Sequence, residues 1–115
     1  MLKYKLLHNP RCRKSREGLQ FLKSKKIEFE TVLYLLNRLN KNQIEEIIDN
    51  SELNPIDFVR KQEKIWKEMF KNKLLSKNQV IQAIFEHPKI MQRPIFISKN
   101  KSIIANPPEN SLKIL

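Results

Sequence analysis

Cysteine occurs once in these 115 residues, at position 12, and glycine once, at position 18. A lone cysteine cannot close an internal disulfide, so packing must hold the fold, and any thiol redox chemistry must borrow its second sulfur from another molecule. No run approaches the roughly 20 apolar residues that cross a bilayer. The first residues also lack the apolar stretch and small-residue cleavage site of a secretory signal, so a cytoplasmic protein with no membrane partner is the expectation. No zinc-ligand set is present, and no basic patch is interleaved with aromatics. Neither a metal nor nucleic acid is therefore an expected partner.

Arginine is scarce as well, with six residues against 17 lysines. The net charge of +11 is thus mostly lysine scattered along the chain, which reads as a solvated cationic surface. The arginines are less diffuse: three lie at positions 11, 13 and 16, and the others are Arg38, Arg60 and Arg93. A guanidinium fork suits bidentate binding of oxyanions, so arginine beside the only thiol is the sharper clue.

What is present suffices for one core, with 40% hydrophobic residues. Residues 2–8 read as a strand, with Leu2, Tyr4, Leu6 and His8 on one face and Lys3, Lys5 and Leu7 on the other. Asn9-Pro10 breaks it, and a helix is predicted over 13–25, placing Cys12, Ser15, Leu19 and Leu22 on one face. Gly18 costs about 1 kcal/mol against alanine inside a helix, which a close backbone approach would explain. A second strand over 28–34 makes a βαβ start, hence a parallel pair with a right-handed crossover.

The middle turns helical. Asn40 with Gln43 and Ser76 with Gln79 are capping boxes, each followed by an apolar stripe. Asn54-Pro55 is expected to start another helix carrying Phe58, Val59 and Arg60. A weaker helical pattern surrounds Trp66, Met69 and Phe70, and His87-Pro88 should end the last of these helices. Residues 95–98 and 102–104 read as a hairpin, and Asn106-Pro107-Pro108-Glu109 as the capped start of a final α-helix. The expectation is an α/β fold with a mixed sheet, ordered β-α-β then β-β-α, in a single domain over 1–115 with a helical insertion at about 38–90.

The stretch His8-Asn9-Pro10-Arg11-Cys12-Arg13-Lys14-Ser15-Arg16 puts the thiol at a strand-to-helix junction. There it meets unpaired backbone N–H groups and the positive end of a helix dipole, both favouring thiolate. The same N–H groups can cradle an oxyanion, so nucleophile and anion site coincide. Arg11, Arg13, Lys14 and Arg16 add positive potential, and His8 does so if the turn brings it back. The competing reading is an inert buried cysteine, but burying so many cations is costly, so a reactive thiol is preferred. Ser15 stands where a dithiol protein of this layout carries its second cysteine. Its hydroxyl either donates to the thiolate or bound anion, or is an ordinary first-turn serine.

Taken together, His8-Asn9-Pro10-x-Cys12-x-x-Ser15-Arg16, a helical middle with Arg60-Lys61, and Arg93-Pro94-Ile95 before a hairpin resemble the glutaredoxin-coupled arsenate reductase (ArsC/Spx-like) family over essentially the whole chain. The resemblance implies a thioredoxin-like fold, with a cis bond placing Pro94 near the cysteine. It also implies an oxidoreductase with no bound cofactor, using glutathione as co-substrate and glutaredoxin as partner, in which Cys12 thiolate attacks arsenate or a related substrate. His8 would favour the thiolate and Ser15 would assist. Arg60 and Arg93 would clamp the oxyanion, with Arg11, Arg13 and Arg16 beside the nucleophile. One position departs: where the family carries a third anion-binding arginine, this chain has Asn106, with the loss of one charge-assisted contact worth about 1.5 to 3 kcal/mol. The alternative within the resemblance is an Spx-type regulator that binds RNA polymerase, whose usual Cys-x-x-Cys switch is missing here.

Overall fold

The computed structural model describes residues 3–115. Leu2, assigned to the first strand from its sequence, lies outside them. Two compact units are present: one takes the chain up to Asn37 together with Arg93–Leu115, the other takes Arg38–Gln92.

The first unit is built on a four-stranded sheet in the order β2-β1-β3-β4. Strand β1 (Tyr4–Leu7) pairs parallel with β2 (Phe29–Val32) and antiparallel with β3 (Ile95–Ser98), which continues through a hairpin into β4 (Lys101–Ile104). Helix α1 (Arg13–Ser24) makes the crossover between β1 and β2. The expected βαβ unit and hairpin are therefore both present, with strands shorter than their apolar runs.

Leu6 of β1 faces Phe96 of β3 across the ladder, and these two fully buried side chains form a core cluster with Leu22 of α1 and Ala105. Tyr4 stacks on Phe96 with ring centroids 5.3 Å apart. Burying side chains of this size contributes about 1.5 to 3 kcal/mol each, which fixes α1 against the sheet by its Leu22 face. Leu7 is buried too, so the end of β1 that leads into His8 is covered on both faces.

The second unit is helical. Helix α2 (Lys41–Asp49) and α4 (Lys77–Glu86) start with the two capping boxes read from sequence: Asn40 Oδ1 accepts from Gln43 N–H at 2.8 Å and Ser76 Oγ from Gln79 N–H at 3.2 Å. Their buried stripes are Ile44, Ile47 and Ile48 on α2 and Val80, Ile81 and Ile84 on α4. Between the two helices, Lys77 Nζ reaches Asp49 at 2.6 Å and Glu45 at 3.5 Å. A short α3 (Lys64–Met69) buries Trp66, which stacks on Phe70.

Two expectations fail in detail. The helix expected from Asn54-Pro55 is a 3-10 turn, Pro55–Phe58, that ends before Val59 and Arg60. Val59 is extended and bridges Met91 antiparallel, with Gln92 N–H donating to Phe58 O at 2.8 Å and Arg60 N–H to Ile90 O at 2.6 Å. Non-local pairing at a β-branched residue overrides the local helix signal there. The last element, Pro108–Ile114, is a 3-10 helix and not an α-helix. Pro107 occupies its N-cap and offers no capping side chain, and Asn110 N–H bonds tightly back to Pro107 O in the i to i+3 pattern at 3.0 Å.

Candidate functional site

The loop from β1 to α1 is organised by Asn9, a residue with no evident chemistry in the sequence beyond breaking the strand. Its side-chain oxygen accepts from Arg11 N–H at 3.1 Å and its carbonyl from Cys12 N–H at 3.0 Å, while its own N–H donates to Ser15 Oγ at 3.0 Å. Asn9 is buried, and Pro10 beside it has no N–H to satisfy. These bonds turn the chain so that Cys12 becomes the N-cap of α1, with extended backbone angles of φ −95° and ψ 124°. Its carbonyl takes the first helical bond, from Arg16 N–H at 3.0 Å.

An N-cap is usually Ser, Thr, Asp or Asn, whose oxygen accepts from the second or third helical N–H. Here sulfur occupies that place. It makes no capping hydrogen bond of standard geometry, yet the N–H groups of Ser15 and Lys14, at those two positions, act on it as donors favouring negative charge. Burial is the largest influence and pushes the thiol up. The Ser15 N–H, a hydrogen bond from the Arg93 side chain together with its charge, and the Lys14 N–H outweigh it, holding Cys12 below the ordinary cysteine value. The cation acting on the sulfur is Arg93, from the other end of the sequence.

Arg93 is 8% exposed, and a cis peptide bond joins it to Pro94 at the start of β3. Gly18 explains how that segment comes so close to α1. A Cβ at position 18 would lie 2.5 Å from Pro94 Cγ and 3.4 Å from Ala105 O. The close approach anticipated from the single glycine is thus to the proline that follows the arginine.

The arginines adjacent in sequence are placed differently. Arg11 is exposed and is held by its backbone N–H. Arg13 pairs with Glu17 at 3.0 Å on the outer surface of α1, and Arg16 donates to Pro10 O at 2.9 Å. Arg60 belongs to the second unit, where its guanidinium is paired with Glu63.

His8 Nδ1 lies 2.7 Å from Ser15 Oγ, so the imidazole meets the serine hydroxyl. Burial chiefly, then the positive charges of Arg16 and Lys23, hold His8 below the ordinary histidine value, so it is neutral near pH 7. The sequence offered a cationic His8 as a support for the thiolate. The geometry instead sets His8 against the Ser15 hydroxyl, and Ser15 in turn presents its backbone N–H to Cys12. Ser15 is fully buried, its hydroxyl shared between His8 and the Asn9 N–H.

Asn106 is exposed at the entry to the last 3-10 helix, and a second cis bond joins it to Pro107. Its carbonyl accepts from the Asn110 side chain at 3.2 Å. Among the described residues no cluster of three or more His, Cys, Asp or Glu could hold a metal, and no helix is long and apolar enough to cross a membrane.

The chain as a whole has counterparts among known proteins. The chain is 37% identical over 113 residues to the uncharacterized protein YfgD of Escherichia coli K12, covering 96% of this chain and 95% of that one. It is 34% identical over 112 residues to a protein of Haemophilus influenzae named arsenate reductase, covering 96% and 97% of the two. The solved structure titled arsenate reductase from Vibrio cholerae superposes with a TM-score of 0.91 at 30% identity, covering 99% of this chain and 98% of the other. The mixed sheet with its β1-α1-β2 start and terminal hairpin is the thioredoxin-like fold shared with such structures. The ArsC family model matches residues 7–114, from the end of β1 through the last 3-10 helix, and the chain belongs to that family.

Proposed function

We propose that the protein is a cysteine-based oxidoreductase of the arsenate reductase type, in which Cys12 is the nucleophile and a small external thiol the reductant. The observation that carries this reading is the convergence of the Ser15 and Lys14 N–H groups and the Arg93 side chain on Cys12. Donors so placed stabilise a thiolate at rest and, once an oxyanion is bound, its negative oxygens. A thiolate is the nucleophilic form of cysteine.

In the proposed reaction Cys12 sulfur attacks arsenic, an As–S bond forms, and one arsenate oxygen leaves as water after protonation. Two external thiols then supply two electrons. Arsenic passes from the +5 to the +3 state, arsenite is released, the two thiols end as one disulfide, and Cys12 is regenerated. Arsenate, two thiols and two protons give arsenous acid, one disulfide and one water. Arg93 holds the oxyanion beside the sulfur. Glutathione is the proposed thiol and glutaredoxin the proposed partner.

The test is arsenate-dependent NADPH oxidation coupled through glutathione, glutaredoxin and glutathione reductase. Wild type is expected to turn over and Cys12→Ser to be inactive. Asn106→Arg is expected to lower KM for arsenate by about tenfold or more, the worth of one charge-assisted contact. If wild type and Asn106→Arg are both inactive with a fully alkylatable Cys12, arsenate is not the substrate.

A further inference from the structure

The stripe of α1 adjacent to the Cys12 face carries Arg13, Arg16, Glu17 and Phe21, at spacings of three and four. Together with Pro108 and Glu109 from the last 3-10 helix it lines a shallow, open surface groove of about 710 Å3. The groove lies within the first unit. Arg16 connects it to the nucleophile: it is four residues after Cys12, hence one turn along the same side of the helix, and its N–H bonds the Cys12 carbonyl.

The chemistry of the lining is mixed in a particular way. Cations stand at the Cys12 end, where Arg16 uses one nitrogen on Pro10 O and Arg13 is bridged to Glu17. Guanidinium carries five donors, so each retains capacity for a carboxylate. Across the groove stands the exposed carboxylate of Glu109, and Phe21 and Pro108 supply apolar surface. A simple inorganic anion would use the arginines but not the carboxylate or the apolar walls. A peptide-like molecule with carboxylates and one ammonium would use all three.

We propose that this groove between α1 and the last 3-10 helix seats the small peptide thiol that exchanges with Cys12, with its carboxylates toward Arg13 and Arg16 and its ammonium toward Glu109. The inference deepens the proposed function, since a chain with one cysteine needs a foreign thiol, but its test does not need arsenate. The step examined is thiol–disulfide exchange: Cys12 thiolate attacks one sulfur of a disulfide, the new S–S bond forms, and the other half leaves as a thiolate. Oxidised glutathione and uncharged hydroxyethyl disulfide are the two probes, and mass spectrometry follows the mixed disulfide on Cys12 at neutral pH.

Wild type should react faster with oxidised glutathione than with hydroxyethyl disulfide, after correction for their rates with a free thiol. In Arg16→Gln and in Glu109→Lys that preference should fall about tenfold, while the uncharged probe reacts within about twofold of wild type because the thiolate donors remain. No preference in wild type, or a preference that both variants retain, overturns the groove assignment. Loss of reaction with both probes alike in both variants also overturns it, because the substitutions then act on the thiol itself. If the preference behaves as expected but arsenate is not reduced, the groove stands and the substrate assignment fails.

Discussion

Arg93 sits beside Cys12 although the two lie near opposite ends of the chain, and its side chain both hydrogen-bonds the thiol and places positive charge against it. Arg93→Ala removes the bond and the charge together while leaving the Ser15 and Lys14 N–H groups in place. The alkylation rate of Cys12 against pH should therefore shift to higher pH in the variant. Arg93→Lys should fall between, since an ammonium keeps the charge without the planar fork. Iodoacetamide kinetics across the pH range check this, and an unmoved curve in Arg93→Ala would remove Arg93 from the account of thiol activation.

Ser15 works through two different parts. Its backbone N–H faces Cys12 and its hydroxyl is bonded to His8 and the Asn9 N–H, fully buried. Ser15→Ala keeps the first and deletes the second, leaving a buried Asn9 N–H and a buried imidazole without that partner. The expected loss of stability is about 1 to 3 kcal/mol, read by urea denaturation. The pH profile of Cys12 alkylation should move much less than in Arg93→Ala, which separates support of the loop from direct action on the thiol.

Both shifted groups at the site make stability rise with pH, in two windows. His8 is held below its ordinary value of about 6.5, so below that pH the unfolded chain takes up a proton that the folded chain resists, and stability falls as pH falls. Cys12 is held below its ordinary value of about 9.0, so from its folded value up to that pH the folded chain has already released a proton that the unfolded chain still binds, and stability rises. Denaturation midpoints should climb from pH 5 toward pH 9. His8→Gln should flatten the acidic part and Cys12→Ser the alkaline part. A midpoint independent of pH in wild type would contradict both placements.

The residues that make this site were legible to different degrees. The capping boxes at Asn40 and Ser76 are local signals, complete within four residues, and they appear as read. The βαβ start and hairpin follow from alternation and turn residues, and the sheet contains both. Cys12 at a helix start was visible for the same local reason. The cations that polarise it were not, because proximity in sequence placed Arg11, Arg13 and Arg16 beside the thiol, while helix geometry turns Arg13 toward Glu17 and Arg16 toward Pro10. Arg93 came from the family resemblance, since nothing local distinguishes it from a surface ion pair. The role of Asn9 is a hydrogen-bonding one closed only by tertiary folding, and Asn-Pro reads as a simple strand break. Val59 follows the same logic in the other direction, its bridge to Met91 being a pairing across 32 residues that no local pattern announces.

Gly18 gives the most direct test of how α1 and the Arg93-Pro94 segment are coupled. Alanine is favoured over glycine by about 1 kcal/mol within a helix, so an open site would be stabilised by Gly18→Ala. At this position the new methyl would lie 2.5 Å from Pro94 Cγ, an atom of a closed ring that cannot swing away as the end of a flexible side chain would. Overpacking of that kind typically costs about 1 to 3 kcal/mol, which exceeds the propensity gain over most of its range. Gly18→Ala should therefore be less stable than wild type in urea denaturation. Because relief of the clash must displace Pro94, and Arg93 with it, the Cys12 alkylation profile should also move to higher pH, in the direction of Arg93→Ala. A variant more stable than wild type, with an unchanged alkylation profile, would show that the proline does not bear on the helix at this point.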